Sequence, residues 1–422
     1  KGTDVLRHKL ETTNAVVNCG SILLNKAVLG MLGGGAGVPV LNCQGGMMVS
    51  NAAAFRVYAG VTASPDVPGA TVDVEGDLVI SHSAWVYPYS HPTNGGSVKF
   101  TVGNLRIPTQ NTGINATGLG FWGGRPKVFT EIPLAADRFE GWGPGRGKNK
   151  IAAGHGGIGW DANATHGRAY GSAAAPLYPG SGGGYNERNI YGSNGGGAVI
   201  VESAGDVVVE GSILADADQS GYAAGGGAGG SVSIVCKRLL GTTGLISAHG
   251  SDRSQEGGPC GGGGRIAVAY DPAQQAAAPL PGIVFNAAGG KYRRPSGDTT
   301  MTAALATGFG YGEVGTLHFP DDQFLTRNTG FYRHSGSWAV PGFTAWSAGD
   351  LVVSNGWFCS PASGFALTAD RLKVVGTDPT LHRLDLTNGL VRVAGGVTLE
   401  QAGMRLYGGA PLAPDFQCGG DL

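Results

Sequence analysis

Charge is scarce in this sequence: Asp, Glu, Lys and Arg make up only 14% of its 422 residues, and the formal net charge is -1. A chain so close to neutral lacks the positive footprint of a nucleic-acid binder or a polybasic membrane partner, so neither nucleic acid nor a lipid surface is an expected ligand. Long apolar runs are absent too. A spanning helix needs about twenty consecutive apolar residues, so no membrane insertion is expected. The first residues, Lys1-Gly2-Thr3-Asp4, carry no apolar core of the signal-peptide kind, so any export signal is expected to be already removed or never part of the chain.

Familiar catalytic motifs are missing as well. Gly147-Lys148 is followed by Asn149 and preceded by Trp142 where a phosphate-binding loop needs glycine. There is no His-Glu-x-x-His and no Cys-x-x-Cys, and Pro179 stands where a Gly-x-Ser-x-Gly around Ser181 needs its first glycine. Zinc peptidases, zinc ribbons and α/β-hydrolases are thereby excluded.

What is present is glycine: 78 residues, nearly a fifth of the chain, against a usual share of about 7%. Hydrophobic residues still reach 41%, too many for a flexible linker, and no strict glycine triplet points to collagen. The glycines sit in a repeat. Gly196-Gly197-Ala198-Val199-Ile200-Val201 recurs at Gly229-Gly230-Ser231-Val232-Ser233-Ile234 and at Gly263-Gly264-Arg265-Ile266-Ala267-Val268. The second glycine of each stands at 197, 230 and 264, so the step is 33 and then 34. Gly211-Ser212-Ile213-Leu214 returns at the same step of 33 as Gly244-Leu245-Ile246-Ser247. Each unit thus holds two short β-branched strands and a glycine-rich loop, with no helical period between them. Looser versions appear at 70–80 and 96–107. Leu351, Leu372 and Leu390 open further strands, at intervals of 21 and then 18.

Such stacking needs residues that accept positive φ and leave room for a neighbouring backbone. The expected fold is all-β, a right-handed parallel β-helix or β-solenoid with long glycine-rich loops, because each coil buries its apolar faces only against its neighbours. A β-sandwich is the runner-up, but it gives no step of 33 and 34. Residues 1–272 are expected to form the glycine-rich helix and 273–422 to continue it, after an extended linker or long loop at 273–281.

Ala153-Gly154-His155-Gly156-Gly157, Tyr170-Gly171-Ser172, the run from Pro179 to Gly184 and the run from Gly261 to Val268 resemble the glycine-rich parallel β-helix segments of large exported bacterial proteins, which are pectate-lyase-like in shape. The resemblance covers about residues 69–320 and implies a fold. The group spans binding, structural and polysaccharide-cleaving proteins, and it supplies no catalytic motif to carry over.

The six cysteines include two pairs with an equal separation of 24, Cys19 with Cys43 and Cys236 with Cys260. That spacing is close to one coil, so disulfides between stacked strands and an exported protein are expected, with buried thiols as the alternative. The densest polar cluster runs from His155 to Arg188. His166, Arg168 and Tyr170 would share a face if the segment is extended. His166 would then accept a proton, Tyr170 donate one and Arg168 neutralise a sugar carboxylate. Glycine at 167 and 171 would instead bend the segment and scatter them.

His155 and Asp161 join them as substrate-binding candidates. Trp85, Tyr87, Tyr89 and His91, with Trp122, offer rings for stacking on sugars; prolines at 88 and 92 suggest an irregular segment that leaves the coil. Asp216, Asp218 and Ser220 match the first half of a calcium loop, but Gly227 replaces its closing Glu, so calcium would need ligands from another coil. The expected protein is a secreted or cell-surface monomer that acts on polysaccharide, as a lyase or a glycoside hydrolase. The competing expectation is a non-catalytic adhesin or structural rod.

Overall fold

A computed structural model describes residues 8–35, 37–61, 67–125, 139–186, 190–219, 224–252, 258–291, 311–326, 330–332, 334–379, 381–409 and 413–421. Among these, 24 strands join in one sheet system and six in a second. Every ladder between strands is parallel, as stacked coils require. Inside, apolar residues stack in register. Val17, Leu41, Val72, Phe100, Val201, Ile234 and Val268 form one column through successive coils. Phe55, Val86, Ile114, Ile213, Ile246 and Phe285 form another. Nearly all are fully buried, and each is worth roughly 1.5–3 kcal/mol of transfer free energy.

The step of 33 is a real coil, since Val199 pairs with Val232 and Ile213 with Ile246. Each coil holds three strands where the sequence suggests two. Ala198–Ser203, Asp206–Val209 and Ser212–Leu214 are followed one coil later by Ser231–Val235, Arg238–Leu240 and Leu245–Ser247. The interval from Leu351 to Leu372 also holds, the two standing opposite each other. The interval from Leu372 to Leu390 does not: Leu372 pairs with Val397, while Leu390 pairs with Ala366 at the other end of the long strand Ala366–Val375.

Two further expectations are corrected. The first part of 273–281 belongs to a short helix, Pro272–Ala276, capped by Asp271, whose carboxylate accepts from the N–H groups of Ala273 and Gln274. Proline at the first helical position and an Asp N-cap are a start signal that outweighs the alanine-rich, linker-like composition. Buried Gln275 fastens this helix to Leu239 by both its amide oxygen and nitrogen. Residues 85–89 do not leave the coil. Trp85–Tyr89 is a regular strand in register with Ala54–Tyr58, and Pro88 is buried against Val57. On its other side the ladder to Gly113–Asn115 stops at Val86, so the missing Pro88 N–H breaks no rung there.

Between Gly113–Asn115 and Ala198–Ser203, the described residues 116–125, 139–186 and 190–197 lie off the coil. They pack with the loops before Ser231 and Arg265 into a layer built by the glycines. Successive residues in it donate to different neighbours. Gly182 donates to Trp142, Gly183 to Ser193 and Gly184 to Ile151; Gly261 to Ser251, Gly262 to Ala153, Gly263 to Glu313 and Gly264 to Ala248. Segments whose successive N–H groups point to different neighbours satisfy them by pairing with several other segments at once. Such chains bond only when their backbones touch. A Cβ at Gly183 would land on the carbonyl oxygen of Gly225, and one at Gly261 on that of Gly227. Glycine there is a packing requirement.

None of the six cysteines is in a disulfide. Cys19 and Cys43 do stand opposite each other, one coil apart. In-register parallel strands are about 4.8 Å apart, which leaves Cβ atoms wider than the roughly 3.5–4.5 Å a disulfide uses. Cys236 and Cys260 are not one coil apart, because the coil there runs the longer distance from Ser231 to its partner Arg265. Burial pushes the Cys236 thiol up to about 12, so it is inert.

Candidate functional site

One outward-facing column crosses the carboxy-terminal coils in register: Arg265, Thr316, Ser337, Cys359, Asp385 and Arg405. Side chains alternate along each strand, so these residues share a face. At Arg265 the glycine layer covers the column. The Arg265 guanidinium donates to the carbonyls of Tyr170 and His155 and to Thr316 Oγ1, and is 7% exposed. Past Thr316 a cleft of about 500 Å³ opens. Its floor is the column with Trp357, Arg383, Thr387 and Tyr407 beside it; Gly156 and residues 311–314 line its edge.

Asp385 dominates the floor, 4% exposed. Its Oδ2 accepts from Trp357 Nε1 at 2.9 Å and lies 2.8 Å from Arg383 Nε, while its Oδ1 has no hydrogen-bond partner. The Arg383 guanidinium lies over the Trp357 ring, 3.6 Å from its centroid, a desolvated cation–π contact worth about 2 kcal/mol. Burial raises the Asp385 carboxyl above its usual range, with Arg383, Arg405 and the Trp357 N–H pulling the other way. Glu313 stands exposed at the layer's edge, where partial desolvation by its neighbours raises its carboxyl as well. Cys359 stands within the field of both carboxyls; burial first, then Asp385 and Glu313, holds its thiol at about 11. The cleft thus pairs two carboxyls of elevated pKa with two arginines and exposes aromatic edges.

The residues singled out in the sequence lie elsewhere. Gly167 and Gly171 both take positive φ, +72° and +76°, so the segment bends and His166, Arg168 and Tyr170 do not share a face. His166 hydrogen-bonds Thr165 Oγ1 and sits 3.5 Å from Glu140; with Asp161 it lines a separate hollow of about 820 Å³. Glu140 is held at about 2 by Arg146 and Lys148. Arg168 is exposed. Tyr170 donates to the Pro179 carbonyl at 2.6 Å and accepts from Ser181 Oγ at 2.9 Å, and burial raises its hydroxyl far above the ordinary range.

His155 is fully buried beneath Tyr170, ring centroids 4.6 Å apart. Its Nδ1 donates to the Gly229 carbonyl at 2.8 Å, its Nε2 finds no partner, and burial followed by the charge of Arg265 lowers its pKa to about 3. Trp85, Tyr87 and Tyr89 line up half-buried on an outer face; Tyr89 stacks on Tyr58 at 4.0 Å and Arg56 lies over Tyr87. The His91 ring accepts from the amides of Thr93 and Asn94, and burial lowers its pKa. Trp122 packs edge-on to Trp142 and beneath Arg125.

Of the residues expected to bind calcium, Asp216 and Asp218 take different hydrogen-bond partners. Asp216 Oδ1 accepts from Ser247 Oγ and the His249 amide, and burial raises its carboxyl; Asp218 is exposed and bonds the Gln219 amide. Ser220 lies outside the described residues, as does Arg188 at the end of the polar cluster. Among the described residues no group of three or more His, Cys, Asp and Glu side chains gathers as metal ligands do, and no helix is long and apolar enough to cross a membrane.

Sequence reasoning missed Glu313, Trp357, Arg383, Asp385 and Arg405. A signal was there: Arg383-Leu384-Asp385-Leu386-Thr387 and Gly403-Met404-Arg405-Leu406-Tyr407 alternate strictly, which sets Arg383, Asp385, Thr387, Arg405 and Tyr407 on one face. No family model matches the sequence, and no match is found among curated proteins or solved structures.

Proposed function

We propose that the chain is a right-handed β-helix with long glycine-rich loops, secreted or displayed at the cell surface, which binds polysaccharide in the cleft and hydrolyses it. Parallel crossovers are right-handed in about 98% of cases, which supports the handedness. The observation that carries the function is Asp385: a carboxyl 4% exposed, with one oxygen unpartnered, on the floor of an open cleft that also holds Glu313. Glycoside hydrolysis uses two carboxyls, one protonated to serve as acid and one ionised as base or nucleophile. Environments that raise a carboxyl's pKa supply the acid. Asp385, the buried carboxyl, is the acid in this reading, and Glu313, exposed to water, the base. Arg405 and Tyr407 orient the chain by hydrogen bonds and ring contact.

A panel of neutral and acidic polysaccharides tests this, followed by new reducing ends and by the absorbance of unsaturated uronates. Cleavage by the native protein that falls a hundredfold or more in Asp385→Asn and Glu313→Gln supports the reading. Unsaturated products would replace hydrolysis by elimination. Binding without any new ends would make the protein an adhesin-like binder.

A further inference from the structure

Behind Trp357, which also lines the cleft, lies a smaller cavity of about 210 Å³. Its floor is a second set of in-register outward residues: Leu245 beside Val284, then Asn286 beside Ser335, then Trp357. Its walls bring in His249, Lys291, Asn355 and His382. We propose that this cavity binds a tetrahedral oxyanion, a sulfate or phosphate ester carried on the glycan chain that occupies the cleft. The ester-bearing chain rests on the cleft reading; the oxyanion site itself does not.

The donors carry the inference. His382 Nδ1 accepts from the Thr377 amide at 2.9 Å, so in the neutral ring Nε2 carries the proton and is a donor. Lys291 is close enough for its charge to lower the His382 pKa, after burial. Ser335 adds a hydroxyl, and His249 a second ring. These are point donors on separate elements. Among the described residues that line the cavity there is no arginine, whose planar fork suits a flat carboxylate bidentately, whereas a lysine with scattered donors suits oxygens arranged in several directions.

Neither nearby carboxylate lines the cavity. Asp252 accepts from the Lys291 amide at 2.9 Å and lies 3.5 Å from His249 Nε2. Asp378 opposes the lowering of the His382 pKa.

The test uses sodium sulfate, sodium phosphate and sodium acetate with the whole chain, read by calorimetry and by the NMR titration of His382. Sulfate and phosphate should bind at least tenfold more tightly than acetate and raise the His382 pKa. Lys291→Met should weaken sulfate at least tenfold and abolish that shift, while His382→Gln keeps partial binding. Acetate bound as well as sulfate, or a Lys291→Met variant equal to the native protein, would overturn the site. Dextran sulfate should bind more tightly than either inorganic ion, and plain dextran should be indifferent to Lys291→Met. Dextran sulfate no tighter than inorganic sulfate would overturn the glycan-borne source. Failure of every polysaccharide to bind would sink the cleft reading and leave the inorganic arms to decide this one.

Discussion

Acid should loosen the glycine layer through one residue, His155. The unfolded chain protonates this ring at its ordinary pKa of about 6.5. The folded protein refuses the proton until about pH 3, because the ring is fully buried, lies near Arg265 and already donates from Nδ1 to Gly229. Stability that is present above pH 6.5 is therefore lost as the pH falls toward 3. Each unit of pH in that window removes about 1.36 kcal/mol, so a drop from 6.5 to 4.5 removes about 2.7 kcal/mol. Carboxylates with ordinary or lowered pKa values titrate mainly below this range, which isolates the histidines. Urea midpoints of the native protein and of His155→Asn, whose amide keeps a donor for Gly229, measure the effect at pH 7, 6, 5 and 4.5. The variant is expected to be less stable at pH 7 and to lose about 2.5 kcal/mol less on acidification. Parallel pH dependence in the two proteins would refute a neutral, buried His155 as the acid-sensitive fastener of the layer.

Alanine in the layer tests the packing requirement: Gly183→Ala should cost about 2–3 kcal/mol, since its methyl meets the Gly225 carbonyl, whereas Gly20→Ala, with nothing within 4 Å, should be near neutral in the same melting experiment. Glu140→Gln should lower stability by about 1 kcal/mol at pH 7, discounted for solvent screening, and the difference should vanish as the pH falls from about 4.5 to 2, where the folded carboxylate itself takes a proton. Tyr170→Phe removes the bonds to Pro179 and Ser181 and should cost about 1–3 kcal/mol in stability while leaving any polysaccharide cleavage at its native rate. Alkylation without reductant should label six cysteines in the denatured protein, as mass spectrometry would count them.

Periodicity made the coils legible. Gly197, Gly230 and Gly264 mark a true step because the residues after each one pair in register, and Leu351 finds Leu372 for the same reason. The path of 116–197 was not legible, because its order comes from backbone hydrogen bonds between segments distant in sequence, and glycine carries no side-chain pattern to announce a partner. The candidate site was hidden by a bias toward polar loops. His166 and Tyr170 stood out among small residues, yet Tyr170 serves a buried network, whereas Asp385 sits in a strand whose alternation reads first as ordinary half-buried sheet. The cysteine pairs misled because equal spacing coincided with the coil length at one end of the molecule and not at the other.

Hydrogen–deuterium exchange with and without a bound oligosaccharide, followed peptide by peptide, tests the cleft most directly. Protection confined to 156, 311–316, 337, 357–359, 383–387 and 405–407, and lost in Arg405→Met at the same ligand concentration, is the expected result. Protection at 148–151 and 161–166, or along the Trp85–Tyr89 strand, with none at 383–387, would contradict it and move the binding site away from the cleft.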